Sequence, residues 1–250
     1  MSGIGRRAII IGASSGMGAA LAENLAARGC KVAVVARRES ELSRLANRVN
    51  RKVKRRAILT YTHDVVNAGE VPELFQRITS DLGGVDLVIY AAGAMPRISV
   101  DEFDFAKDRL MVEVNYLGAI AWLNEAARRF QNLKSGHIVA IGSIAGDRGR
   151  RGNPVYCSSK AALAFYMESL RNRLARYGVG VTTIKPGFVD TAMTKGLPGL
   201  FWLISPERAA QIILGAVRRN ASSVFVPARW GLVAFVIRNI PTQIFRYLSV

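Results

Sequence analysis

Arg7-Ala8-Ile9-Ile10-Ile11-Gly12-Ala13-Ser14-Ser15-Gly16-Met17-Gly18 runs from a short β-rich segment, Arg7 to Ile11, through a glycine-rich turn, and the helical pattern Ala19 to Arg28 follows at once. The order is strand, glycine turn, helix. Glycines let a backbone turn tightly and approach a pyrophosphate, and a helix N-terminus offers unpaired N–H groups with a partial positive charge. Ser14 and Ser15 add hydroxyl donors, so Gly12, Ser14, Ser15, Gly16, Met17 and Gly18 form a candidate phosphate cradle. The glycines are spaced G-x-x-x-G-x-G rather than G-x-G-x-x-G, and the common dinucleotide fingerprint is not matched directly. On this stretch alone, a purely structural turn stays open.

Outward from it, Gly29 closes the helix and Lys31 to Ala36 is a continuous apolar strand of the kind buried on both faces of a parallel sheet. Dinucleotide-binding folds carry an acid at this strand end for the ribose 2′-hydroxyl of NAD, whereas basic residues accommodate the 2′-phosphate of NADP. Here Ala36 stands at the acidic position and Arg37 and Arg38 follow, which favours NADP(H). The pattern then alternates: helix Glu39 to Asn50, strand Ala57 to Tyr61 with Asp64-Val65 past its end, helix Val71 to Leu82, and strand Asp86 to Tyr90. The small-residue turn Ala91-Ala92-Gly93 follows and would let a ligand lie against the backbone.

Asp101 to Phe130 reads as largely helical and contains Asn115, which needs a partner if buried. Strand His137 to Ile141, a helix to about Tyr177, strand Val179 to Ile184, helix Pro206 to about Arg219 and a short strand Val224 to Val226 complete the series. Such alternation predicts an α/β fold with a doubly wound parallel sheet, helices on both faces and ligand at the carboxyl ends of the strands. No linker divides the chain, so residues 1–228 are expected to form one domain. The irregular turn Lys185 to Thr191 leads into a lid-like segment at about 192–205.

Tyr156-Cys157-Ser158-Ser159-Lys160 places a phenol and an ammonium one helical turn apart, on one face. A neighbouring ammonium favours the phenolate, which would bring tyrosine nearer to use as a proton-transfer group at neutral pH. Ser143, at the end of the strand His137 to Ile141, lies where α/β folds place chemistry. Tyr156 and Lys160 taken alone also fit two ordinary helix residues.

The assembled set is more specific than any part of it. Gly12/Gly16/Gly18, Asp64, Ala91-Ala92-Gly93, Asn115, Ser143, Tyr156/Lys160 and Pro186-Gly187/Thr191 occur in one order and at spacings that resemble the short-chain dehydrogenase/reductase family over about residues 7 to 226. The resemblance implies a Rossmann-type fold and gives each matched residue a role. Ser143 would bond the substrate oxygen, and Tyr156 would exchange the proton. Lys160 would lower the tyrosine pKa and bind the nicotinamide ribose, while Asn115 would hold a water in the proton path. Asp64 and Val65 would meet the adenine, Ala92 and Gly93 the backbone side of the cofactor, and Pro186, Val189 and Thr191 the nicotinamide end. Two positions depart from the family pattern: Ile11 replaces a threonine, and Tyr90-Ala91-Ala92-Gly93 replaces Asn-Asn-Ala-Gly, with an apolar contact expected in place of the missing polar ties.

Three functions remain open at this point. One is an NADPH-dependent reductase of a hydrophobic, lipid-like carbonyl; the second is a dehydrogenase of small polar alcohols or sugars; the third is a nucleotide-sensing protein without catalysis. The apolar segment around Phe201 and Trp202 favours the first. Two cysteines and no leader-like N-terminus suit a reduced, cytoplasmic setting, and His63 and His137 with no ligand spacing argue against a metal. The net charge of +17 suits an anionic partner, but no nucleic-acid-binding motif accompanies it. The basic run Arg51 to Arg56 reads as a solvated helix end and turn. Helices Asp101 to Phe130 and Val155 to Tyr177 are expected to pair with copies in a homo-oligomer, a dimer or tetramer. Residues 229–250 form an apolar, arginine-bearing tail, too interrupted to span a bilayer. Either it packs over the lid, completes an apolar substrate pocket or buries itself in a dimer, or it lies peripherally on an anionic membrane.

Overall fold

The computed structural model describes residues 6–197 and 199–248; the first five residues of the expected domain, Pro198 of the lid and the last two residues of the tail lie outside them. The described strands are β1 (Arg7–Ile11), β2 (Lys31–Ala36), β3 (Ile58–Thr62), β4 (Leu87–Tyr90), β5 (His137–Ile141), β6 (Gly180–Pro186) and β7 (Ser223–Val226). They form one sheet in the order β3-β2-β1-β4-β5-β6-β7, every pair parallel. This is the doubly wound sheet that the alternation predicts. The helices are α1 (Gly16–Ala27), α2 (Glu39–Val53), α3 (Val71–Leu82), α4 (Phe105–Val112), α5 (Gly118–Leu133), α6 (Pro154–Leu174), α7 (Pro206–Arg218), α8 (Trp230–Asn239) and α9 (Thr242–Phe245).

The two sheet faces bury separate cores. On one, Ile10, Val32 and Val34 meet Leu21 and Leu25 of α1, Leu42 and Leu45 of α2, and Ile213 and Leu214 of α7. On the other, Ile9, Val35 and Val88 meet Ile78 of α3, Trp122 and Phe130 of α5, and Leu163 and Met167 of α6. Strand residues alternate between these faces, so the central strands are apolar at nearly every position. Helix α2 shows the complementary pattern. Leu42, Leu45, Ala46 and Val49 are buried at helical spacing, while Arg51, Lys52, Lys54, Arg55 and Arg56 are exposed, as expected of a solvated helix end and turn.

Helix α4 starts later than the sequence pattern suggests because Asp104 caps it, its Oδ1 accepting from the Ala106 and Lys107 N–H groups at 2.9 and 3.1 Å. Between α4 and α5, Glu113–Leu117 winds as a π turn. The Gly118 N–H donates to the Glu113 carbonyl, five residues back rather than four. The fully buried Tyr90 hydroxyl donates to the Val114 carbonyl at 2.5 Å. The contact expected at this departure to be apolar is therefore polar: the phenol at the end of β4 reaches across to the carbonyl of the wide turn. Single π turns inside helices often accompany functional positions, and this one carries Asn115.

Tyr90→Phe keeps the ring and removes that donor, leaving a buried carbonyl one partner poorer. The expected cost is about 1–3 kcal/mol, a fall of a few degrees in Tm for a chain of this length. Thermal unfolding of the variant checks it, and an unchanged Tm contradicts it.

Candidate active site

The strand order reverses between β1 and β4, and the crevice of such a sheet lies beyond their carboxyl ends. Gly12 makes the first turn with φ +87°, and a Cβ on it would lie 2.3 Å from the Ala92 nitrogen. No side chain fits there. The neighbouring cavity, about 240 Å³, is lined by Gly12, Ser14, Ser15, Gly16, Met17, Gly18, Arg37, Arg38, Asp64, Val65, Ala92, Gly93 and Thr191 among the residues expected from sequence. Ser15 is the N-cap of α1 yet makes no side-chain cap bond, and no acidic residue stands in the first turn. The helix end thus keeps N–H groups for an anion.

Beyond Ala36, the two arginines take different partners. Arg38 reaches back over the glycine turn, its Nη2 donating to Ser14 Oγ at 2.7 Å and Ser15 Oγ at 2.8 Å, and its Nε to Ser14 Oγ at 3.2 Å. Arg37 Nη1 stands 3.5 Å from Asp64 Oδ2. Both guanidiniums sit at the edge of the cavity, and no carboxylate occupies position 36. The cradle, the helix end and the arginine pair fit a dinucleotide.

Two of the chemistry-bearing residues, Asn115 and Lys160, meet next to Gly93. A Cβ there would lie 3.5 Å from Asn115 Oδ1 and 3.6 Å from Lys160 Nζ. Asn115, fully buried, holds Ala94 by both backbone groups: its Oδ1 accepts from the Ala94 N–H at 2.8 Å, and its Nδ2 donates to the Ala94 carbonyl at 2.9 Å. Nδ2 also donates to Ser159 Oγ at 3.1 Å, so one amide ties the loop after β4 to α6. That explains the mid-helix asparagine. On α6, Asn153 accepts from the Tyr156 N–H at 3.1 Å and Pro154 occupies the first turn, which sets Tyr156 at the helix start.

Ser143 opens the turn after β5, its hydroxyl accepting from the Ala145 N–H at 3.0 Å. Lys160 is buried, its Nζ donating to the Ile141 carbonyl at 3.0 Å and lying 5.8 Å from the Tyr156 ring centre. Burial pushes its ammonium down to about 8. The Tyr156 phenol differs from the sequence expectation. Burial holds it above its ordinary value, with the Ser143 hydrogen bond and Arg150 acting in the opposite sense. The Lys160 ammonium is turned toward the Ile141 carbonyl, and burial penalises the phenolate.

Pro186 and Val189, like Asn115, Ser143, Tyr156 and Lys160, lie outside the lining of this cavity. Pro186 ends β6 and pairs with Val226; Val189 is buried and bridges Ile204, while its carbonyl accepts from Thr194 Oγ1 at 2.6 Å. These contacts pin the base of the lid. Sequence reasoning passed over His63, Val114, Ala192 and Met193, which also line the cavity. His63 lies on Trp122 with ring centres 5.6 Å apart, and its place next to Asp64 was the available signal. His137 is structural, bonded to Thr182 Oγ1 at 2.8 Å, and burial pushes it down to about 4.

The tail contributes an aromatic wall. Trp230 lies flat on Gly187, where a Cβ would fall 2.0 Å from the indole, and its ring packs with Phe188, Phe201 and Trp202 at 5.2, 5.0 and 5.7 Å between centres. Ile144, next to Ser143, belongs to the same cluster. Two residues that no sequence pattern flagged fasten this arrangement. Asp147 receives Lys185 Nζ at 2.5 Å and also the Arg238 guanidinium, and Arg148 Nη1 donates to the carbonyls of Ile237, Arg238 and Ile240 at 2.8, 3.0 and 2.6 Å.

Comparison with known proteins agrees with this geometry. The profile described as short chain dehydrogenase matches residues 6–198. An uncharacterised oxidoreductase of Staphylococcus saprophyticus is 36% identical over 187 residues, 75% of this chain and 80% of that protein. Another, from Mycobacterium tuberculosis, is 29% identical over 229 residues, 91% and 90% of the two chains. A short-chain dehydrogenase from Sphingobium yanoikuyae, solved in complex with NADPH, shares the fold with a TM-score of 0.81 at 24% identity, covering 94% of this chain and 96% of that one. A profile match over most of the chain, on a parallel sheet that opens its cavity between β1 and β4, makes this oxidoreductase a member of the short-chain dehydrogenase family.

Proposed function

We propose that the protein is an NADPH-dependent reductase of a hydrophobic, lipid-like carbonyl. The observation that carries the cofactor reading is Ala36 at the end of β2 with Arg37 and Arg38 beyond it. A carboxylate there would bind a ribose hydroxyl and repel a phosphate; two guanidiniums at the same edge do the reverse. The Sphingobium relative in fold carries NADPH. The aromatic wall of Phe188, Phe201 and Trp230 beside Ser143 supports an apolar substrate.

When bound, NADPH supplies the hydride to the substrate carbon. The chain supplies the rest. Ser143 Oγ orients the carbonyl oxygen, and Tyr156 Oη, held protonated by its burial, donates the proton to that oxygen as it gains charge. Lys160 offers a positive charge and hydrogen-bond donors to the cofactor ribose. Asn115 keeps Lys160 and the loop after β4 in register. A phenol held in its acid form suits reduction, where a proton must be given.

Two placements accompany this reading. The first is a homo-oligomer through α4, α5 and α6, where Leu117 and Phe165 are 50% and 76% exposed; the native mass in solution decides it. The second is a cytoplasmic enzyme held peripherally on an anionic membrane.

Tyr156→Phe is expected to retain the fold and NADPH binding while losing nearly all carbonyl reduction; near-normal turnover contradicts the assignment. Arg37→Ala and Arg38→Ala are each expected to weaken NADPH by roughly 10- to 100-fold, since a charge-assisted bond contributes about 1.5–3 kcal/mol, with little change for NADH. Equal affinities of the unaltered protein for the two cofactors, measured by fluorescence titration, contradict it. Because burial lowers the Lys160 pKa to about 8, its ammonium is present below that pH and lost above it. The kcat/KM for reduction is expected to be level below pH 8 and to fall above it. A profile level to pH 10 contradicts that role for Lys160.

A further inference from the structure

Helix α8 has two apolar faces, and only one of them is covered. Trp230, Ala234 and Ile237 are buried, whereas Leu232, Phe235 and Val236, spaced as one helical face, are 69%, 66% and 53% exposed. A helix apolar all round is normally enclosed. Further along the tail Ile244 and Tyr247 are exposed as well, as are Phe201 and Trp202, whose rings pack on the Trp230 of α8.

The charges around this surface are of one sign. Arg229 lies over the Trp202 ring at 4.7 Å, Arg246 over Tyr247 at 4.8 Å and Arg148 over Phe245 at 4.1 Å. In the sequence, six arginines and no acidic residue follow Glu207. An apolar face rimmed by guanidiniums, its Arg238 paired to the buried Asp147, complements a surface that is apolar within and anionic at its boundary. A second copy laid face to face would set arginine against arginine. Among the described residues no helix is long and apolar enough to cross a membrane. The face is also fixed in direction, since Arg148 closes the end of α8 and Asp147 holds Arg238, both within the turn that begins at Ser143.

We propose that α8, α9 and the Phe201-Trp202 edge dock on an anionic phospholipid surface and so turn the mouth beside Ser143 toward the head groups. This rests on the reductase reading only in that a hydrophobic carbonyl would then enter from the lipid; docking itself needs neither cofactor nor turnover.

The test is co-sedimentation of the full chain with phosphatidylcholine vesicles with and without phosphatidylglycerol, in the absence of cofactor. Sedimentation with the anionic vesicles, weakening as salt is added, is expected. A Leu232→Ser/Phe235→Ser double variant, altered only at exposed positions, is expected to lose about tenfold or more of its partitioning while reducing a water-soluble carbonyl at the unaltered rate. Three results would overturn the proposal: unaltered protein remaining in the supernatant at low salt, a double variant that sediments equally well, or a light-scattering mass showing a dimer that the double variant dissociates. The last would assign the face to a second copy. Absence of NADPH turnover alongside normal sedimentation would refute the reductase reading and leave the docking surface standing.

Discussion

Gly12 and Ala92 approach so closely that a methyl group cannot stand between them. This contact brings the ends of β1 and β4 together at the point where the sheet changes winding direction, and the rest of the site follows from it. The tight approach lets the turn present α1 end-on to the cavity, with its N–H groups uncapped. It also draws the loop after β4 inward, where Asn115 can grip Ala94 on both backbone groups. Asn115 then reaches Ser159, and α6 is held at the distance that lets Lys160 meet the Ile141 carbonyl. Phosphate cradle and proton-transfer group are thus built from one chain of short-range contacts rather than from two independent loops.

The fold was legible because its signals are local and repeated. Each parallel strand is buried on both sides and therefore reads as an apolar run, while each helix carries its own stripe, as Leu42, Leu45, Ala46 and Val49 do on α2. The glycine turn and the Tyr156/Lys160 pair were legible because backbone approach and helical spacing restrict which residues serve. Other features depended on partners distant in sequence. Nothing near Tyr90 announces that its hydroxyl will meet Val114, because the wide turn that presents that carbonyl is specified by packing rather than by composition. The direction of the tyrosine pKa was misjudged for a related reason: helical spacing shows that Lys160 shares a face with Tyr156, but not that its ammonium will turn to a strand carbonyl.

The tail divides between two environments. Its inner face packs on the lid and Gly187, as the packing alternative required, while Leu232, Phe235 and Val236 stay exposed. Hydrophobicity counts alone could not divide α8 between these uses, since the division is made by Trp230, Ala234 and Ile237 finding neighbours that Leu232, Phe235 and Val236 do not.

The clasp of Arg148 on the end of α8 also makes the serine turn answer to the last helices. Local opening of α8 takes Arg238 from Asp147 and leaves Arg148 without the carbonyls it closes, while Lys185 stays on Asp147. The glycine turn before α1 shares none of these contacts. Fraying of the tail should therefore loosen the turn that carries Ser143 while leaving the Gly12 to Gly18 turn as it was.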